Sequence, residues 1–158
     1  MYKSVLIALD GSEQAAKAIP QGVEIARQFG ATVVLIRAVT PEIEIEAQGT
    51  VPDPQRAEFS ADVLGRRDYD SRRSQAEGYL EGLKRSLRDS QLSVETRIED
   101  GEPAAVITRV ARSLEQPVIV ITPYGKSASL TPSPSGVFGR VADKVLKEST
   151  APVLVAKS

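Results

Sequence analysis

Apolar runs of strand length recur along the chain. Four of them are nearly continuous and rich in β-branched residues, which is typical of strands that are covered on both faces in a parallel sheet. A fifth run alternates between apolar and polar positions, which favours a strand at the sheet edge with one wet face. The continuous runs are residues 4–9, 32–39, 118–121 and 152–156, and the alternating run is residues 93–98.

Helical patterns lie between these predicted strands. An apolar stripe with helical spacing precedes the alternating strand. Residues 104–114 form another helix, with Pro103 at its first position, where the missing N–H removes no helical bond. A last helix is predicted to open at Gly139-Arg140. The apolar faces of the first and last of these helices consist of Ala76, Leu80, Leu83 and Leu87, and of Phe138, Val141, Ala142 and Val145.

The first helix of the chain follows Asp10-Gly11-Ser12. Ser12 is a good N-cap, because its hydroxyl can accept a bond from a free N–H of the first turn. Pro20 is unfavourable further along, since a proline inside a helix removes one hydrogen bond and costs about 3 kcal/mol. We therefore expect a kink or a break at Pro20.

The order of these elements predicts one α/β domain over residues 1–158. Strands that alternate with helices form an open parallel sheet with right-handed crossovers and helices on both faces. Residues 40–66 are the one long interruption, and connections of that length are usually functional, mobile or interaction surfaces. The prediction is a mobile insertion with a short helix near residues 57–64.

The absence of two residue types limits the reactions and metal sites that are possible in this protein. The chain contains neither cysteine nor histidine. Disulfides, thiol nucleophiles and thiolate metal sites are therefore excluded, and the commonest general base and zinc ligand is missing. Catalysis by carboxylates or lysine stays open, but the composition disfavours a hydrolase or a metalloenzyme.

The charge and hydropathy of the chain indicate whether nucleic acid or a membrane is an expected partner. The formal net charge is −1, so no global field favours nucleic acid or an anionic membrane. The longest apolar runs fall far short of the roughly 20 residues of a membrane span. The pairs Arg66-Arg67 and Arg72-Arg73 are interleaved with acidic residues, which favours a solvated helix face. We expect a cytoplasmic protein with no signal peptide, no nucleic-acid partner and no membrane insertion.

Candidate binding residues cluster where two predicted strands end. Ligands of open α/β sheets bind outside the carboxyl ends of the strands, where the strand order reverses. Asp10 ends the first strand, and Thr122 to Gly125 follow the fourth. If these strands flank the reversal, Asp10 and Gly125 face one crevice, where the helix that opens at Gly139 favours a phosphate. Alternatively, Asp10 only caps its own turn.

Known phosphate loops do not account for this region. Gly125-Lys126-Ser127 suggests a Walker loop, but that motif needs a glycine at the position of Val120. A flavodoxin-like loop would follow the first strand, where the sequence is acidic. A receiver domain would place paired carboxylates at the end of that strand, and only Asp10 is present there. These proteins share the predicted fold class but not the site.

Three segments resemble the universal stress protein family. VLIALDGSEQAAKAI is similar to the family's first strand, Asp-Gly-Ser turn and helix. GEPAAVITRVAR is similar to the Gly-x-Pro entry to its third helix, and GRVADKVLKESTAPVLVAKS to its closing helix and final strand. The resemblance implies a five-stranded parallel sheet in the order 3-2-1-4-5, and homodimers paired through the last strand, here Val153, Leu154 and Val155. One branch of the family binds ATP or AMP, and another branch does not.

The nucleotide-binding branch carries Gly-x2-Gly-x9-Gly-Ser/Thr after the fourth strand. By the resemblance, Asp10 contacts adenosine and the backbone of Ala38 meets adenine. Gly125 and Gly139 match the second and third glycines of the motif, and the amide of Val141 lies beside the third.

Two positions and one spacing depart from this motif. Thr122 stands at the first glycine, where its branched Cβ can fill space that a ligand needs. Arg140 replaces the Ser/Thr and offers a bidentate contact to a phosphate instead. The segment between Gly125 and Gly139 has 13 residues rather than nine.

The expected function is regulation by an adenine nucleotide. ATP or AMP, with or without Mg²⁺, would order residues 122–140 and alter a surface presented to an unidentified protein partner. We expect that the protein is not an enzyme and has at most a weak, incidental ATPase activity that relies on Asp10. The alternative is a homodimeric interaction module that binds no nucleotide and acts through residues 40–66.

Overall fold

The computed structural model describes residues 1–40, 54–88, 91–125 and 138–157, with the side chains described from residue 67 onward in the second range. In these ranges five parallel strands form one sheet in the order β3-β2-β1-β4-β5. They are β1 (Ser4–Leu9), β2 (Thr32–Val39), β3 (Val94–Asp100), β4 (Pro117–Ile121) and β5 (Val153–Val155). The predicted fold class and strand order are confirmed, and every strand end lies within two residues of its prediction.

Helices cover both faces of the sheet, which explains the nearly continuous apolar runs. The helices are α1 (Glu13–Ala16), α2 (Ala18–Phe29), α3 (Pro54–Ser86), α4 (Pro103–Ser113) and α5 (Arg140–Glu148). Val5, Ile7 and Leu35 face a core shared with α1, α2 and α3. Leu6 and Ile119 face the other core, beneath α4 and α5. Successive residues of one strand therefore enter opposite cores, as the pleat requires.

The break expected near Pro20 occurs three residues before it. The first helical segment ends at Ala16, Lys17 separates the two segments, and α2 begins at Ala18. Pro20 is thus the third residue of α2, where N–H groups have no partner within the helix. The interruption is confirmed, and its position keeps proline out of the helix interior.

Part of the insertion predicted at 40–66 belongs to the long helix α3. Its backbone is helical from Pro54 to Ser86, so the short helix expected near 57–64 is part of a much longer one. Proline is favourable at a first helical position, which accounts for the start at Pro54. The sequence did not join these two predicted helical segments, because the first half of α3 lacks the apolar stripe that marks its second half, where Ala76 and Leu80 are fully buried. The remaining residues of the predicted insertion, 41–53, lie outside the described residues.

Polar contacts attach α3 to the carboxyl end of β3. The hydroxyl of Tyr69 donates to the carboxylate of Asp100, and Nη1 of Arg73 lies 3.1 Å from the same carboxylate. The expectation of a solvated face fits Arg72, which pairs with Asp68 one turn away at 3.2 Å. It also fits Arg73, whose side chain is 39% exposed while it bridges to Asp100 of β3. Across the described part of the chain, no helix is both long enough and apolar enough to cross a membrane.

Candidate functional site

The two carboxylate oxygens of Asp10, at the end of β1, have different surroundings. Its Oδ1 accepts hydrogen bonds from the backbone N–H of Ser12, at 2.9 Å, and from the Ser12 hydroxyl. The Ser12 hydroxyl in turn accepts from the N–H of Ala15 at 3.1 Å and caps α1, as predicted. Oδ2 points towards the loop after β4, where it lies against Gly125. Turn capping thus uses one oxygen of Asp10, and the other faces the crevice.

The two glycines of the candidate site allow two backbone segments to approach closely. A Cβ on Gly125 would fall well inside van der Waals contact with Oδ2 of Asp10. The N–H of Gly139 donates to the carbonyl of Pro123 at 2.7 Å, and a Cβ on Gly139 would lie 3.1 Å from that oxygen. The β1 turn, the β4 loop and the start of α5 therefore meet at one place.

Thr122 fills the position of the first motif glycine with a buried side chain. It is 7% exposed, and its hydroxyl donates to the carbonyl of Tyr124 at 2.9 Å. The hydroxyl closes the turn after β4 and is directed into the protein's own backbone. The side chain therefore shapes this loop, and its donor is already used.

The start of α5 offers backbone donors at the same edge of the sheet. Gly139 is the N-cap, and the first helical bond runs from the N–H of Asp143 to the carbonyl of Gly139 at 3.0 Å. The N–H groups of Arg140, Val141 and Ala142 precede that bond and have no partner within the helix. Such a helix start attracts anions, and the exposed Arg140 adds a positive charge. The N–H of Gly139 itself is occupied by Pro123.

Ala38 lies level with Asp10 on the neighbouring strand. Leu9 of β1 pairs with Arg37 of β2, so the next residues, Asp10 and Ala38, reach the carboxyl edge together. Neighbouring strands are about 4.8 Å apart. The Ala38 side chain packs on the core beneath α4 and α5, which leaves its backbone at the edge.

Arg37 and Tyr79 are site residues that the sequence reasoning missed. Cζ of Arg37 lies 5.5 Å from the ring centroid of Tyr79, and its guanidinium contacts Gly11 beside Asp10. Burial raises the pKa of Tyr79, the charge of Asp10 raises it further, and Arg37 opposes the change. The available signal was an arginine inside the otherwise apolar run TVVLIRAV.

Glu102 connects α4 to α5 behind the crevice. Its carboxylate accepts from the N–H groups of Ala104 at 3.2 Å and Ala105 at 3.0 Å, and from Nζ of Lys144 at 3.2 Å. Burial by itself would raise the pKa of Glu102, but the two N–H groups and the Lys144 ammonium outweigh it and hold the pKa below its ordinary value. Through Lys144, this contact links the start of α4 to α5.

A cavity of about 460 Å³ lies away from these residues, at the amino ends of β1 and β4. Its lining includes Met1, Tyr2, Leu114, Pro152 and Arg112. Because ligands of open α/β sheets bind at the carboxyl ends of strands, and few polar groups converge here, we assign the candidate site to the crevice. Over the ranges that the structure describes, no three acidic side chains converge as metal ligands.

The family model described as the universal stress protein family matches residues 1–157. The chain belongs to the universal stress protein family. Among curated relatives, the universal stress protein MJ0531 of Methanocaldococcus jannaschii is 26% identical over 99% of this chain and 83% of its own length. The universal stress protein YxiE of Bacillus subtilis is 26% identical over 99% of this chain and 100% of its own length.

Solved structures of this family share the fold. Universal stress protein UspA from Lactobacillus plantarum superposes with a TM-score of 0.75 at 20% identity, over 99% of this chain and 98% of its own. A universal stress protein in complex with cAMP gives a TM-score of 0.66 at 18% identity, over 99% of this chain and 97% of its own. A universal stress protein family protein from Arabidopsis thaliana with AMP bound gives a TM-score of 0.61 at 16% identity, over 98% of this chain and 91% of its own. At these identities the likeness shows the fold alone.

Proposed function

We propose that this universal stress protein is a regulatory protein that binds an adenine nucleotide, AMP or ATP, at the carboxyl ends of β1 and β4. The observation that carries the proposal is the contact of Asp10 with Gly125 beside the start of α5. It brings together a carboxylate acceptor, glycine backbone, and N–H groups that have no partner within the helix α5, all in one crevice. The relatives solved with AMP and with cAMP give further support.

Each end of the nucleotide has matching partners in this crevice. Oδ2 of Asp10 is the acceptor for a ribose hydroxyl, and the backbone at Ala38 is the contact for adenine. The N–H groups of Arg140 and Val141 suit a phosphate, and the Arg140 guanidinium can hold it in a bidentate contact. Thr122 narrows the loop without supplying a donor, since its hydroxyl is bonded to Tyr124.

Any Mg²⁺ in this site would arrive with the phosphates. Mg²⁺ usually keeps several waters and binds through one or two carboxylates plus substrate phosphates. Asp10 is a carboxylate at the crevice that could serve as such a ligand, and over the described ranges no group of three acidic side chains converges there. The residues present therefore fit a phosphate-borne ion better than a resident one.

The proposed mechanism is regulatory rather than catalytic. A nucleotide that bridges the β1 turn, the β4 loop and α5 would hold these three segments together. The surface around residues 122–125 and 138–140 would then differ between the free and the bound protein; the segment between these two ranges lies outside the described residues. A protein partner in the cytoplasm would bind the free and the nucleotide-bound forms with different affinity. We assign no catalytic residue, and any ATPase activity is incidental and depends on Asp10.

Homodimerisation through β5 is the second part of the proposal. β5 is an edge of the sheet, and within the described chain only β4 pairs with it. Leu154 is 36% exposed, and Val153 and Val155 are half-buried. An apolar edge strand is a template for pairing with another chain. Because Thr122 and Arg140 depart from the nucleotide motif, a homodimeric interaction module without nucleotide is the competing function.

Calorimetric titration of nucleotide-stripped protein with AMP and ATP, with and without Mg²⁺, tests the proposal. We expect saturable binding that is weaker but still measurable in Asp10→Ala and weaker in Gly139→Val, while both variants unfold cooperatively as the wild type does. The valine would push against the Pro123 carbonyl and displace the start of α5. No heat from the wild-type protein with either nucleotide would favour the interaction module.

A further inference from the structure

The guanidinium of Arg37 lies flat against Gly11. A Cβ built on Gly11 would be 3.1 Å from Cζ, 3.1 Å from Nη2 and 3.2 Å from Nη1 of Arg37. A point nearly equidistant from three atoms of a planar group, at this range, lies above the plane and not beside its edge. Gly11 has φ +84°, a left-handed conformation that favours glycine. The turn after β1 therefore rests on the face of the guanidinium.

Tyr79 of α3 provides the second support of Arg37. The Cζ–centroid distance of 5.5 Å is within the range of a cation–π contact. The hydroxyl of Tyr79 is buried and has no hydrogen-bond partner in the described part of the chain. A buried polar group without a partner is unfavourable. The contact that the structure shows for Tyr79 at this place is therefore that of its ring with Arg37.

Among the residues that the structure describes, Arg37 is held by packing and not by an ion pair. Arg27, Arg73 and Arg109 each lie within 4.0 Å of a carboxylate, at 3.3, 3.1 and 3.6 Å. Within the described ranges no carboxylate lies that close to Arg37, although this side chain is half-buried. A half-buried arginine that contacts both a glycine turn and an aromatic ring restricts the geometry of that turn.

We propose that Arg37 is a positioning residue for Asp10: its flat guanidinium, held between Gly11 and Tyr79, sets the β1 turn so that Oδ2 of Asp10 faces Gly125 and the ligand. The inference rests on the proposed function, in which Asp10 accepts a bond from the ribose. Ser12 fixes Oδ1 of Asp10 from one side, and Arg37 supports the neighbouring residue from the other. Lysine cannot replace Arg37, because an ammonium group has no flat face.

A double-mutant cycle in AMP affinity tests this role. Arg37→Met and Arg37→Lys should each weaken AMP binding about tenfold, the loss expected when a bond to a charged acceptor is misplaced. Because Arg37 acts through Asp10, Arg37→Met should change nothing further in the Asp10→Ala background. Arg112→Met, at the opposite end of the sheet, is the matched control and should bind AMP as the wild type does. Additive losses, or full affinity in Arg37→Lys, would overturn the inference.

A second measurement does not depend on nucleotide. Hydrogen exchange at the Ser12 N–H, which is bonded to Asp10, should accelerate about tenfold in Arg37→Met and in Tyr79→Leu, but not in Arg112→Met. An unchanged exchange rate at Ser12 would overturn the role of Arg37 even if AMP binds. Faster exchange together with no AMP binding by the wild type would overturn the proposed function and leave the positioning of Asp10 standing.

Discussion

The carboxylate of Asp10 occupies the space that a side chain on Gly125 would need. The contact joins the end of β1 to the loop after β4, across the point where the strand order reverses. Asp10 also caps its own turn through Ser12, so the interpretation of Asp10 as a turn residue and its interpretation as a crevice residue are compatible. The binding role of Asp10 is a prediction that depends on this contact.

Gly125→Ala should weaken AMP binding about tenfold or more, because the new methyl group displaces Oδ2 of Asp10. The free energy of unfolding should change little, since the loop lies at the edge of the sheet. Isothermal calorimetry and urea denaturation measure the two effects separately.

Gly78→Ala is the matched control for this substitution. A Cβ on Gly78 meets no atom within 4 Å, and helical alanine is about 1 kcal/mol more favourable than glycine. The control should therefore stabilise the protein and leave AMP affinity unchanged. Equal affinity in Gly125→Ala and the wild type would show that the Asp10–Gly125 contact plays no part in binding.

Glu102→Ala should destabilise the protein by about 1 kcal/mol at neutral pH, the usual loss for an N-cap. The folded pKa of Glu102 lies below its ordinary value of 4.5. The stabilisation is therefore complete above that value and is lost as the pH falls through the folded pKa. In urea denaturation, the stability difference between wild type and Glu102→Ala should stay constant above about pH 5 and shrink as the pH falls further.

Lys144→Met sharpens the same test. Without the ammonium, one of the contacts that lower the pKa of Glu102 is gone, so the loss of stability on acidification should begin at a higher pH. Stability curves of wild type and Glu102→Ala that run parallel over the whole range would contradict the role of this carboxylate.

Tyr79→Phe should stabilise the protein slightly, by up to about 1 kcal/mol, since it removes a buried hydroxyl that has no partner in the described chain. Tyr79→Leu should be destabilising, because it removes the ring beneath Arg37. Chemical denaturation of both variants gives the comparison. A marked loss of stability in Tyr79→Phe would mean that the hydroxyl makes a bond we have not assigned.

Leu154→Lys should convert a homodimer to a monomer, because a charge on the exposed edge strand opposes pairing with a second copy. Size-exclusion chromatography with light scattering at micromolar concentration measures the mass. Glu95→Lys, on the opposite edge strand β3, is the control and should leave the dimer intact. A wild-type protein that is monomeric under these conditions would rule out the proposed dimer.

Local sequence signals predicted the elements and most of the crevice. β-Branched runs marked the strands, and Ser12 and Pro103 marked helix starts, because these preferences act within a few residues. The alternation of strands and helices, with the family resemblance, gave the strand order. The resemblance also selected Asp10, Gly125 and Gly139, which the fold brings together at the carboxyl edge.

The sequence alone thus determined the strands, the fold class and which residues end the strands, since hydrophobic periodicity and backbone preferences are local. Only the tertiary structure decided what the side chains at that edge do. The support of Gly11 by Arg37 and Tyr79 depends on the register of β1 with β2 and on the packing of α3, which join residues far apart in the chain. The inward turn of the Thr122 hydroxyl and the bridge from Arg73 to Asp100 depend on the same packing, because a periodic pattern reports which face is buried but not which atoms meet there.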